Sequence, residues 1–219
     1  GAVKLALGWA CWKAYLGRSD TDGTRRMGMG ALGTALFQNK RPEEALPVLE
    51  ASLALSRRYW SHDRSAILVA QTNIAVCLSD SGQYEKALVL SRDVYDNNVA
   101  MFGISSEEAI VAGLNLAASL MRLKIWDEAT SLVRDQLLPS ARRSLGSNHN
   151  LTLTLNQNMA VALRDNPERA RNDLLEAVNI MQDVVQRRRR VFGSAHPDTR
   201  ECESLLSNAR EIARLLDLA

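Results

Sequence analysis

Asn73-Ile-Ala-Val-Cys-Leu-Ser-Asp-Ser-Gly-Gln-Tyr-Glu-Lys-Ala87 holds two marks, an Asn-x-Ala element and an aromatic-acidic-x-Ala element, that recur through the chain at nearly constant spacing. Upstream and downstream of Tyr84-Glu-Lys-Ala87, the second mark returns as Pro42-Glu-Glu-Ala45 and Trp126-Asp-Glu-Ala129, each 42 residues away, and then as Pro167-Glu-Arg-Ala170 after 41. The first mark returns as Ala31-Leu-Gly33, Asn115-Leu-Ala117 and Asn158-Met-Ala160. A glycine closes each of three units (Gly103, Gly146, Gly193), twice after a phenylalanine, and glycine best tolerates the left-handed conformation in which many helices end. His149 and His196 follow two of these glycines at the third place, and His196-Pro-Asp-Thr199 reads as a turn into a new helix. A fixed period of this length is the signature of a repeat array.

Between the marks the apolar residues keep helical spacing, as in Ile67, Ile74, Ala75 and Leu78, and strand patterns are absent. Each unit therefore predicts two helices, with helices near 2–16, 24–38, 42–57, 63–80, 84–99, 106–122, 126–142, 149–164, 167–190 and 198–216. Small residues at Gly33, Ala75, Ala117 and Ala160 on first helices, and at Ala45, Ala87, Ala129 and Ala170 on second helices, fall where helix backbones approach closely. One helix pair cannot bury its apolar face alone and must stack on neighbours, so the expected fold is an all-α solenoid of antiparallel helix pairs. The expected organisation is one array over 1–219: a partial repeat at 1–23, full repeats at 24–61, 62–103, 104–146 and 147–193, and a charged capping helix at 194–219. Val3, Leu7 and Ala10 precede Ala45, Leu49 and Ser52 by one period, which makes residues 2–16 the second helix of a unit whose first helix is missing.

These residues carry a family resemblance. Gly82-Gln-Tyr84-Glu-Lys-Ala87 resembles the Gly-x-Tyr-x-x-Ala signature of tetratricopeptide repeats. The 42-residue period, the Asn-Leu-Ala element, the Leu-Gly or Phe-Gly ending and the His196-Pro-Asp turn resemble the longer variant found in kinesin light chains and their relatives, and Pro47 is similar to a Glu-Ala-x-Pro pattern common there. The resemblance covers residues 31–207 and implies a right-handed superhelical solenoid whose first helices line a concave, peptide-binding groove. Departures are Lys40 and Lys124 in the place of Gly82, Ser61 in the place of a closing glycine, and a turn at 164–169 that reads two residues short.

The groove candidates are the ladder Asn73, Asn115 and Asn158, flanked by Thr34, Gln38, Val69, Val76, Met121, Arg122, Gln157 and Arg164. An asparagine amide both donates and accepts, so it can pair with a peptide backbone of any sequence. It can equally tie neighbouring helices together, and both readings stand at this point. Arg122 and Arg164 suit a ligand with an acidic group beside an apolar anchor, or are solvated helix ends favoured by the helix dipole. The run Arg187–Arg190 is expected to be a solvated, carbonyl-capping helix end, with an acidic partner as its other reading. Trp9, Trp12 and Tyr15 crowd the first helix; packing onto residues 24–38 is expected for most of that surface, with one aromatic left for a partner at an end interface.

Composition narrows the function. With 46% apolar and 24% charged residues the chain is of globular type, and a net charge of +2 from 27 basic and 25 acidic residues is too small and too dispersed for nucleic-acid binding. Residues 2–16 are too short and too interrupted, by Lys4, Gly8 and Lys13, for a transmembrane segment, and they read poorly as a signal peptide. Cys11, Cys77 and Cys202 form no metal or redox pair, which suggests a reducing, cytoplasmic setting, although an opening on Gly1 rather than Met also fits a processed organellar protein. His62, His149 and His196 lie at helix starts without a second ligand nearby, so no metal is expected. No phosphate loop, nucleophile elbow or carboxylate pair suggests catalysis or a cofactor. The expectation is a protein-interaction module binding a partner peptide; the alternative is a structural subunit of a large assembly.

Overall fold

The computed structural model describes residues 2–216, all in helices and the turns between them. The first helices of the repeats are α2 (Gly23–Gln38), α4 (Arg64–Asp80), α6 (Glu107–Arg122), α9 (Asn150–Asp165) and α11 (Pro197–Leu215). The second helices are α1 (Ala2–Tyr15), α3 (Pro42–Tyr59), α5 (Tyr84–Phe102), the continuous run of α7 (Trp126–Ser131), a π-helical turn (Leu132–Leu137) and α8 (Leu138–Ser144), and α10 (Arg171–Phe192). They cluster into two compact units, residues 1–97 and 98–219.

The two kinds of helix begin by different chemistry. Every first helix opens on a side-chain cap: Asp22, Asp63, Ser106, His149 and His196 each accept a bond from a backbone N–H of the first turn. His149 and His196 do so through Nδ1, at 3.3 and 3.2 Å, which is the turn role their spacing suggested. Three second helices instead follow a left-handed turn residue. Lys40, Gly82 and Lys124 have φ of 62°, 79° and 61°, and the next residue's N–H reaches back to close the preceding helix (Arg41 to Leu36 O, Gln83 to Leu78 O, Ile125 to Leu120 O). The two lysines therefore adopt the conformation of the glycine they replace.

In unit 1, Leu32, Leu36, Ala45, Leu49, Leu53, Ile74, Cys77, Leu78 and Ala87 form one core cluster. Gly33 is required there, because a Cβ would come within 2.6 Å of the Leu49 side chain. Cys77 donates its thiol to the Pro42 carbonyl at 3.2 Å, and burial, with Asp80 and Glu50 nearby, pushes its pKa up to about 11. α1 departs from the expected register. It turns Leu5, Gly8, Trp12 and Tyr15 toward α2, whereas Val3 and Leu7, which stand one 42-residue period before the buried Ala45 and Leu49, are 73% and 60% exposed.

In unit 2, α9 is buried on most of its circumference, with Leu153, Leu155, Met159, Ala160, Ala162 and Leu163 in the core. Two expectations fail here. The turn after α9 is not two residues short but runs over the five residues 166–170, because Asn166 precedes Pro167 and is held extended (φ −62°, ψ 117°), which rules out the left-handed closure used elsewhere. Ala170 is therefore the exposed N-cap of α10 and not a packing position; Ala177, fully buried, takes that role. Nor is the run 187–190 simply a solvated end. Arg188 is 3% exposed and donates to the Asp198 carbonyl at 3.0 Å and to Thr154 Oγ1 at 3.1 Å, tying α10 to α9 and α11. Arg187 pairs with Asp183 and Arg189 with Glu203.

Candidate functional site

A groove of about 760 Å³ lies in unit 1, bounded by α1, α2 and α4 with α3 beneath. Its walls combine short side chains, Gly30, Ala31, Ala35, Ala66 and Ala70, with the longer Lys4, Leu7 and Met27. The floor is Leu49, Ser52 and Ser56; both hydroxyls are spent on backbone carbonyls, of Arg26 and of Ser52. At the mouth Arg26 lies 5.1 Å over the Trp60 ring and 3.5 Å from an Asp63 carboxylate oxygen, while its buried Nε has no partner. No periodic signal in the sequence marks this trio, since its members come from α2, the α3–α4 turn and a helix cap.

Four of the five unit-1 candidates meet in this groove: Thr34 and Gln38 from α2, Val69 and Asn73 from α4. Val69 is 59% exposed. Val76 is half-buried and does not line it. In unit 2, Asn115, Met121 and Arg122 lie on α6, and Gln157, Asn158 and Arg164 on α9. Arg122 is exposed and Met121 half-buried. Gln157 is buried and committed to α11, accepting from the Cys202 thiol at 2.9 Å and lying 3.5 Å from Glu201. The Arg164 guanidinium, nearly buried, makes a two-pronged pair with Asp165 at 2.6 and 3.0 Å. By contrast, the side-chain amides of Asn73, Asn115 and Asn158 are half-buried and make no hydrogen bond among the described residues.

Of the α1 aromatics, Trp12 packs on the core cluster, Tyr15 rests against Gly28, and Trp9 is left 39% exposed. No helix among the described residues is long and apolar enough to cross a membrane.

Sequence models of the tetratricopeptide repeat match residues 26–97 and residues 157–198, together just over half of the chain. The chain is a tetratricopeptide-repeat protein. No curated protein matches it in sequence. Among solved structures, this tetratricopeptide-repeat chain is similar to a Podosopora anserina protein described as a putative kinesin light chain with nearly identical TPR-like repeats. In one crystal structure of that protein the identity is 21%, the TM-score 0.70, and 92% of this chain and 94% of that one are covered. In a second, of a form carrying a substitution, the values are 19%, 0.71, and 85% of each chain. It is also similar to BtubC (BKLC) from P. vanneervenii, at 14% identity and a TM-score of 0.66, over 99% of this chain and 92% of that one. At these identities the likeness concerns the fold, an all-α solenoid of helix pairs of the kinesin light chain-like kind.

Proposed function

We propose that this tetratricopeptide-repeat protein is an interaction module that holds an extended or helical segment of a partner protein in the unit-1 groove. The observation that carries the reading is Asn73: a half-buried amide with no intramolecular partner among the described residues, set in a mostly apolar groove. A polar group part-removed from water gains most from a ligand that completes its hydrogen bonds. Neighbouring short side chains leave space for an anchor side chain, and most binding energy in such sites comes from a few desolvated anchors. Asn115 and Asn158 offer the same unpaired amide on unit 2. With Arg164 held by Asp165, an acidic group on the ligand falls to Arg122.

The test compares capture from a native extract by the wild-type chain, by Asn73→Ala/Asn115→Ala/Asn158→Ala, and by Val69→Glu at the exposed groove wall, after circular dichroism shows equal helicity. Partners held by the wild type and lost by both variants support groove binding. Retention of one and the same complex by all three would instead make the protein a structural subunit that uses other surfaces.

A further inference from the structure

Packing gives the four arginines at the end of α10 different fates. Arg188 is buried between helices, and Arg189 is held by Glu203. Arg187 donates from Nε to Asp183 at 2.7 Å and from Nη1 to Oδ1 of Asn148, in the turn before α9, at 3.2 Å. Arg190 is exposed and has no partner among the described residues. Between that turn and α10 lies a notch of about 160 Å³, lined by Asn148, Asp183, Gln186, Arg187, Arg190 and Val191.

Most polar groups of the notch are donors left over. Asn148 spends its carbonyl oxygen on Arg187, which leaves its NH2 group unused, and the amide of Gln186 is unpaired among the described residues. The one carboxylate, Asp183, is engaged by Arg187 and fixes where that guanidinium lies. Such a set suits an anion with several acceptor oxygens, and the planar fork of arginine matches phosphate. A phosphorylated serine or threonine brings about −1.5 to −2 charges at neutral pH and three acceptor oxygens, enough to outweigh Asp183. A carboxylate side chain brings one charge and two oxygens. We propose that this notch receives the phosphate of a phosphorylated serine or threonine on a partner protein, with Arg190 and Arg187 on its oxygens and Asn148 and Gln186 donating beside them. Nucleic acid and anionic membranes present phosphates in rows and call for unpaired cations along a path, whereas Arg187 and Arg189 are already paired with acids and one notch serves one phosphate. The notch shares no residue with the unit-1 groove, and neither reading depends on the other.

The probes are three short peptides of one glycine- and alanine-rich sequence, with phosphoserine, aspartate or serine at the centre. Titrated against the isotope-labelled full chain, the phosphoserine peptide should shift the side-chain amide resonances of Asn148 and Gln186. It should bind at least roughly ten-fold more tightly than the aspartate peptide, the worth of one further hydrogen bond to a charged group. Arg190→Ala should weaken it at least about ten-fold with unchanged circular dichroism. Arg190→Lys, which keeps the charge and loses the fork, should lose most of the preference for phosphoserine over aspartate. Arg143→Ala removes another exposed, unpaired arginine, one that does not line the notch, and should change affinity by no more than about two-fold. The proposal is overturned by absent binding, by equal affinity for phosphoserine and aspartate, or by binding that survives Arg190→Ala. A loss in Arg143→Ala as large as in Arg190→Ala would overturn it too, by making the contact one of diffuse charge. So would Arg190-dependent attachment to phosphatidylinositol phosphate vesicles without binding of the phosphoserine peptide, since the phosphate would then belong to a lipid.

Discussion

A left-handed backbone costs a residue with a Cβ roughly 1 kcal/mol more than it costs glycine. Lys40 and Lys124 bear that cost at φ of 62° and 61°, where the equivalent Gly82 bears none. Lys124→Gly should therefore stabilise the protein by about 0.5–1 kcal/mol, and Gly82→Ala should destabilise it by a similar amount, both read from urea midpoints. A second residue-scale prediction concerns the cap of α2. Hydrogen bonds from the Thr24 hydroxyl and N–H, with Arg18 nearby, hold the Asp22 carboxyl at about 2, well below its ordinary value near 4. A depressed pKa means that the cap stabilises fully above the ordinary value and is lost as pH falls through the depressed one. The melting-temperature gap between the wild type and Asp22→Ala should thus be constant near neutrality and close between about pH 4 and 2.

At the scale of the element, one buried pattern repeats with little variation. Ala45, Leu49, Ser52, Leu53 and Ser56 of α3 correspond to Ala87, Ser91, Val94, Tyr95 and Asn98 of α5, and to Ala177, Met181, Val184, Val185 and Arg188 of α10. The last position is polar and buried each time, and in α10 a long cation reaches through it to two neighbouring helices. Arg188→Ala should cost about 2–4 kcal/mol, from lost hydrogen bonds and a cavity, whereas Arg188→Met, which retains the stem, should cost less. An Arg188→Ala loss below about 1 kcal/mol would show the guanidinium to be a passenger. The run from α7 to α8 holds one residue more than α5 does between its buried alanine and the next helix cap (Ala129 to His149 against Ala87 to Ser106). The π-helical turn Leu132–Leu137 absorbs it, just before Pro139, which could not have donated to the helix in any register.

For the molecule as a whole, a repeat is stable only through its neighbours. α11 supplies unit 2 with Thr199, Cys202, Leu206, Ala209 and Ala213, and it receives bonds from Arg188 and Gln157. Removing residues 197–219 should lower the stability of unit 2 by more than about 3 kcal/mol, the burial of Leu206 and Cys202 alone approaching that figure. The expected signs are a lower urea midpoint and new dye-binding apolar surface. Unchanged midpoints would make α11 an appendage.

The repeat, its two helices per unit, the turns closed by Gly103, Gly146 and Gly193, and the place of His149 and His196 at helix starts were legible in the sequence, because each depends on chemistry within a few residues of itself. A family of repeats was legible for the same reason, since a period is a local pattern read many times. What only the tertiary structure decided depends on what lies across a helix interface. The 42-residue spacing aligned Val3 and Leu7 with Ala45 and Leu49, which are buried, yet in α1 it is Leu5 and Trp12 that pack on the core. Spacing likewise placed Ala170 in the core, and a single extended residue before Pro167 moved that duty to Ala177. Asn73, Gln157 and Arg164 were equal candidates as residue types; packing engaged the last two and left Asn73 unpaired in its groove, since whether a polar group has a partner is settled by its neighbours in space and not by its own chemistry.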